Sequence, residues 1–206
     1  MKKLKIGIDL DDTICDTASE IIKAATEYHT NILGRILNLK EVSQFKDYFH
    51  FAHMLEWDAE DIAKFFHYAY PDCLEKVKPL NSVVENVKKL QTLGCEFVII
   101  SSRKLSTKKD VLQLTKNWLL KNNFKIDEVN INEEDKSRII TDSNCNMFID
   151  DSYKNCLKVL EEHPKVKVFL FSTRFNSDYV NDNLPKVSDW NDLYKKLVDL
   201  MEVKYE

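Results

Sequence analysis

The segment Leu4 to Ile8, a short apolar run that breaks directly into Asp9-Leu10-Asp11-Asp12-Thr13, sets the tightest limit on how this chain can fold. A run this short is read as a buried strand rather than a helix. The carboxylates then belong at a strand tip, which is where an open α/β sheet builds its sites. Beyond the strand the alternation of side chains no longer governs, so the turn can aim Asp9 and Asp11 at one spot while Asp12 turns away. Crowded carboxylates raise each other's pKa and need a cation, a shared proton or open solvent. A divalent metal answers that need most simply.

The pattern recurs along the chain. Phe97-Val98-Ile99-Ile100 ends in Ser101-Ser102-Arg103, a strand whose tip offers a hydroxyl to an anion. Asn146-Met147-Phe148-Ile149 ends in the pair Asp150-Asp151, with Asn155 four residues beyond the second acid. Further strands are expected near Val129 to Ile131 and over Val166 to Phe171.

Helical spacing fills the intervals. Thr17 with Glu20 has the form of a capping box, after which Ile21, Ala25, Tyr28 and Ile32 recur on one face up to Gly34. A second helix follows Asp58, with Ile62, Phe65, Phe66 and Ala69 on one face, and stops before Pro71. Val83, Val87 and Leu90 trace a helix from Pro79 to Gly94. Further helices carry Val111, Leu114 and Trp118, then Leu157 and Leu160, and finally Leu193, Leu197 and Leu200. Strands alternating with helical crossovers give an α/β fold with a doubly wound, mostly parallel sheet. The long helical stretch after the first strand divides the chain into a core, residues 1–15 and 78–206, and a small helical cap, residues 16–77.

Composition narrows the partners. Thirty basic against 34 acidic residues leave a net charge of −4 with no basic block, so neither a nucleic acid polymer nor a membrane surface is expected. No apolar stretch approaches the roughly 20 residues that span a bilayer. A cleaved leader would remove the strand that ends in Asp9, so the cytoplasm is expected. Cys15, Cys73, Cys95, Cys145 and Cys156 are odd in number and scattered, which suits reduced, packed thiols. Nothing in the sequence separates a monomer from a homo-oligomer. With three glycines in all, the chain has no glycine-rich phosphate loop.

The strand followed by Asp-x-Asp-x-Thr resembles the first motif of the haloacid dehalogenase superfamily of phosphotransferases, and the later segments resemble its other motifs in their order. By that resemblance Asp9 is the nucleophile and Asp11 the general acid and base. Ser101, which matches better than Ser102, binds the transferring phosphoryl group, and Lys136 in Glu133-Glu134-Asp135-Lys136-Ser137-Arg138 neutralises nucleophile and phosphate. Mg2+ is the implied cofactor, held by Asp9, the backbone carbonyl of Asp11 and Asp151. Asp150 is a neighbour that ligates through water, and Asn155 supports the ligating acid. Arg103 either adds a phosphate contact or caps the turn.

The resemblance implies hydrolysis of a small phosphorylated substrate through an aspartyl-phosphate. Asp11 favours a phosphatase over a dehalogenase, since a halide leaves without a proton. Across the whole chain the similarity is to the 5'(3')-deoxyribonucleotidases and their bacterial relatives, although Ser101-Ser102-Arg103 departs from their Thr-Ser-Pro. A sugar-phosphate phosphatase is the alternative, and a non-catalytic phosphate-binding protein is the alternative of another class. The cap is dense in Phe45, Tyr48, Phe49, Phe51, Trp57, Phe65, Phe66, Tyr68 and Tyr70. A wall of such rings would stack a nucleobase, worth about 1–3 kcal/mol per base, whereas packing of the cap's own core accounts for most of them. His50-x-x-His53 with Glu56 is read as surface or cap core in preference to a metal site.

Overall fold

In the computed structural model, which describes residues 4–37, 50–104, 109–126 and 128–202, the short apolar runs become strands. They are β1 (Leu4–Ile8), β2 (Cys95–Ile100), β3 (Glu128–Asn130), β4 (Met147–Asp150), β5 (Lys167–Phe171) and the brief β6 (Lys186–Val187), which the sequence pattern did not announce. Among the described residues they form one six-stranded sheet, parallel throughout, in the order β3-β2-β1-β4-β5-β6.

The chain steps outward from β1 to β3 and then returns to lay β4 on the other side of β1. That reversal opens a crevice at the carboxyl ends of the two strands. Ile8 lies beside Ile149 in the ladder, and the Asp9 amide donates to the Ile149 carbonyl at 2.9 Å. Two residues that are 141 positions apart, Asp9 and Asp150, therefore emerge side by side.

The chain between β1 and β2 forms α1 (Thr17–Glu27), α2 (His50–Met54), α3 (Ala59–Tyr68), α4 (Tyr70–Lys76) and α5 (Val83–Thr92). Beyond β2 come α6 (Val111–Lys121), α7 (Lys136–Asp142), α8 (Tyr153–Glu162) and α9 (Trp190–Glu202). Ile6, Ile8, Phe97, Ile99 and Ile149 pack on one sheet face against α5, α6 and α9, through Leu90, Trp118 and Trp190 among others. Val98, Ile100, Phe148 and Leu170 pack on the other face against Ile139 and Ile140 of α7 and Val159 of α8. Gly7 points to this second face. A methyl there would lie 2.7 Å from the Ile140 Cδ1 and 2.9 Å from the Ile100 Cδ1, so the missing side chain lets α7 settle directly on β1. The placement of α7 matters because Lys136 is its first residue.

Several local expectations change in the folded chain. Asp16, not Thr17, caps α1, its carboxylate accepting from the Ser19 amide at 3.2 Å. The α-helix gives way to a π-helical turn over Tyr28–Ile32, which throws Ile32 out to 71% exposure instead of continuing the buried face. The helix after Asp58 does stop before Pro71, at Tyr68, and the proline then opens the next helix. It sits in the first turn of α4, where its missing amide costs no helical hydrogen bond.

The chain leaves and re-enters the sheet region along a single track: the Asp16 amide donates to the Lys78 carbonyl and the Leu80 amide to the Ile14 carbonyl, each at 2.9 Å. The helices beyond that track have an apolar cluster of their own, built on Ile21, Ala25, Tyr28, Leu55, Trp57 and Phe65. Tyr28, Trp57 and Phe65 meet mutually at centroid distances of 5.2 to 5.7 Å. The Trp57 indole N–H donates to His29 Nδ1 at 3.0 Å, which leaves His29 Nε2 to donate to the Ile36 carbonyl at 3.3 Å.

Trp57 is thus a packing residue with no face for a base. Phe45, Tyr48 and Phe49 lie outside the described residues, as do the side chains of His50 and Phe51. His53 and Glu56 are exposed and belong to no carboxylate or imidazole cluster among the described residues. Trp57→Ala is expected to lower stability by about 3–5 kcal/mol, the range for truncating a buried aromatic, without altering substrate preference. Thermal melts beside kinetics on two substrates check it, and a selective loss of one substrate would return the ring to the binding site.

Candidate active site

Lys136 organises the crevice. Asp135 caps α7 by accepting from the Ser137 amide at 3.2 Å, and this aims the first side chain of the helix at the strand tips. The buried Lys136 ammonium donates to Asp9 Oδ1 and, at 2.7 Å, to Asp150 Oδ2. Asp150 is held further by the Ser152 amide on Oδ1 at 2.7 Å and by the Asn155 amide group on Oδ2 at 3.1 Å. Asn155 was expected to support Asp151; the first turn of α8 brings it to Asp150 instead.

Asp151 is half-buried, and among the described residues no donor reaches its carboxylate. Its backbone carbonyl accepts from the Asn176 side chain at 2.8 Å. Asn176 had no signal in the sequence, because it reaches the site from the loop after β5. One carboxylate oxygen from each of Asp9, Asp150 and Asp151 lies within 4.8 Å of the others.

Charge does not balance in this cluster, which sets three carboxylates against one ammonium. Burial, then the charges of Asp150 and Asp11, push the Asp9 carboxyl up to about 7 despite Lys136. Burial, then Asp150 and Asp9, carry Asp151 well above the ordinary carboxylate range. Burial alone would lower the pKa of Lys136, but Asp150 and Asp9 outweigh it and the ammonium is held charged. Hard oxygen donors short of positive charge fit a small divalent cation such as Mg2+.

Asp11 has a different counter-charge, Arg103. Its carboxylate accepts from Arg103 Nη2 at 2.7 Å and Nε at 2.9 Å, and from the hydroxyl of Thr17. Burial pushes its pKa up, but the Arg103 guanidinium and these hydrogen bonds prevail and hold it below the ordinary value. Asp12 turns away as expected, at a φ of 58°, and its Oδ1 accepts from the Ala18 amide at 2.8 Å. Burial raises its carboxyl to about 7.

Of the residues expected to bind phosphate, the fold brings Ser101 to Asp11 and Lys136 to Asp9 and Asp150, and gives Ser102 and Arg103 other partners. The Ser101 hydroxyl is buried and donates to Asp11 Oδ2 at 3.4 Å. Ser102 is exposed and donates to the Glu133 carbonyl at 2.8 Å. Arg103 turns into the protein. Its buried guanidinium is drawn to the nearest carboxylate, Asp11. Thr17, read as a helix cap, contributes to the site through that same carboxylate.

A family model described as 5' nucleotidase, deoxy (pyrimidine), cytosolic type C protein matches residues 2–203. A curated nucleotidase of Clostridium acetobutylicum is 26% identical over 207 residues, covering 100% of this chain and 99% of its own. The fold is that of a magnesium-bound haloacid dehalogenase-type hydrolase of Bacillus subtilis, at a TM-score of 0.68 and 13% identity over 96% of this chain and 100% of that one. A haloacid dehalogenase-like hydrolase of Streptococcus pneumoniae gives 0.66 and 12% over 95% and 98%. The acids on β1 and β4, the lysine between them and the match along nearly the whole sequence lead to one assignment: the chain belongs to the cytosolic type C 5'-deoxynucleotidase family and is a phosphatase of the haloacid dehalogenase superfamily.

Proposed function

We propose that the protein is a Mg2+-dependent phosphomonoesterase that hydrolyses nucleoside monophosphates through an aspartyl-phosphate on Asp9. The observation that carries this reading is the meeting of Asp9, Asp150 and Asp151, the first two joined by Lys136, with Asp11 two residues from the nucleophile and held by Arg103. The family description and the nucleotidase relative support a nucleotide as substrate and the cytosol as setting.

Asp9, Asp151 and the Asp11 carbonyl would hold the cation, which supplies Lewis-acid charge to the phosphate oxygens. Asp151 is preferred to Asp150 because Asp150 already has donors on both oxygens. Lys136 and the Ser101 hydroxyl offset phosphate charge, so that the Asp9 carboxylate can approach an anion. Asp9 forms the new bond to phosphorus as the ester oxygen leaves with a proton from Asp11. Asp11 then takes a proton from the water that breaks the acyl phosphate, releasing phosphate and restoring Asp9. Residues 16–77 would serve as the cap, joined to the core where the Asp16 amide meets the Lys78 carbonyl and the Leu80 amide the Ile14 carbonyl.

Chelation is expected to abolish turnover and Mg2+ to restore it, with Ca2+ a poor substitute because its looser coordination misplaces the nucleophile. Mg2+ should also raise the melting temperature more at pH 8 than at pH 5.5. Asp9, raised to about 7, and Asp151, raised by burial and its acidic neighbours, must release protons to accept the ion. Equal shifts at the two pH values would place the ion elsewhere.

A phosphate-release panel with Mg2+ tests the substrate. A nucleoside monophosphate should exceed ribose 5-phosphate in kcat/KM by about 10- to 100-fold, the worth of one base contact. Equal efficiency on the two would favour a general small-metabolite phosphatase.

A further inference from the structure

Arg103 lies just beyond the tip of β2, and its side chain does something a phosphate contact would not require. All three guanidinium nitrogens are engaged inside the protein: Nε and Nη2 on Asp11, Nη1 on the Thr115 hydroxyl of α6 at 3.1 Å, and Nη2 also 3.5 Å from the Cys15 sulfur. The residue is buried, and its backbone amide donates to the Ser101 hydroxyl oxygen at 3.2 Å. The guanidinium is fully buried and spends four of its five N–H donors on Asp11, Thr115 and Cys15, inside the protein.

We propose that Arg103 is the positioning residue of the general acid, fixing the rotamer of Asp11 so that Oδ2 faces the ester oxygen of the bound substrate; this rests on the phosphatase mechanism above. The two oxygens of Asp11 are unequally held. Oδ1 accepts from Arg103 Nη2 at 2.7 Å and from the Thr17 hydroxyl. Oδ2 accepts from Arg103 Nε at 2.9 Å and makes only a long, 3.4 Å contact with Ser101, the residue assigned to the phosphoryl group. Oδ1 is the more heavily held oxygen, and Oδ2, with one Arg103 bond and the long Ser101 contact, is the one that carries a proton toward the phosphate. The planar fork fixes the carboxylate's orientation as well as its distance, which a single ammonium cannot do.

Leaving-group dependence separates this role from a structural one. An alkoxide such as the 5' oxygen of deoxythymidine monophosphate needs a proton to depart, whereas p-nitrophenolate leaves without one. With Mg2+, kcat/KM reports each substrate through phosphorylation of Asp9. Arg103→Gln is expected to lower it about 10- to 100-fold for the nucleotide, the scale of a misplaced catalytic group, and far less for the aryl ester. Arg103→Lys should recover part of the loss. In an Asp11→Asn background, Arg103→Gln should move the ratio of the two substrates no further.

Thr115→Val removes only the outer anchor of the guanidinium and should shift the ratio in the same direction, so it decides the matter if Arg103→Gln does not fold. Equal losses on both esters in every folded variant would overturn the positioning role. A wild type that hydrolyses neither ester would overturn the phosphatase mechanism and this proposal together. A wild type whose ratio responds to Asp11→Asn but not to Arg103 or Thr115 would overturn this proposal alone.

Discussion

Asp9→Asn is expected to abolish phosphate release, by about 10⁴-fold or more, the scale on which loss of a covalent nucleophile is felt. The metal-free variant should nonetheless melt no lower than the wild type at pH 8. In the fold the Asp9 carboxyl stands at about 7 against an ordinary 3.8, chiefly because it is buried. The folded state therefore holds more protons than the unfolded one between those two values, and metal-free stability falls as pH rises through that window. An amide keeps the hydrogen bond from Lys136 and has no such slope. Phosphate release with Mg2+, beside melts of metal-free protein at pH 5 and pH 8, reads both halves. Substantial turnover by the variant would end the covalent mechanism.

The second large effect belongs to Lys136→Met. Removing one partner of a buried ionic cluster costs about 3–5 kcal/mol, and here it leaves Asp9 and Asp150 facing each other with no cation between them. Turnover should fall with stability, because the ammonium that offsets the charge of nucleophile and phosphate beside the Ser101 hydroxyl is gone. The destabilisation should be greatest at pH 8 and smaller at pH 5, where a proton on either acid relieves the repulsion. Mg2+ should recover part of the melting temperature by supplying the missing charge. Equal destabilisation at both pH values, unaffected by Mg2+, would mean that Lys136 acts through packing alone.

The strand tips were legible in the sequence. A run of four to six apolar residues breaking into acid or hydroxyl is a local pattern, and β1, β2 and β4 lie where Ile8, Ile100 and Ile149 end such runs. Because these strands are parallel, their ends fall on one edge of the sheet, so Asp9, Ser101 and Asp150 were bound to share a crevice. Asp12 could be read as turning away for the same local reason. Lys136 was legible only by its place in the order of segments, since a lysine in a charged stretch carries no mark of burial.

Partners were not legible. Thr17 has the spacing of a helix cap, but a hydroxyl that can reach a buried carboxylate is held by that stronger acceptor, and Asp16 takes the cap. Arg103 could be read as a phosphate contact or a turn cap until the fold closed Asp11 over it from 92 residues away. Trp57 could have stacked a base until Tyr28 and Phe65 enclosed it. The sequence by itself determined which residues stand at the carboxyl ends of the strands, because strand formation and its termination depend on near neighbours along the chain. Which acid holds which base, and which rings fill the cap, the tertiary structure decided, because burial and the search for a counter-charge depend on groups that only folding brings within hydrogen-bond reach.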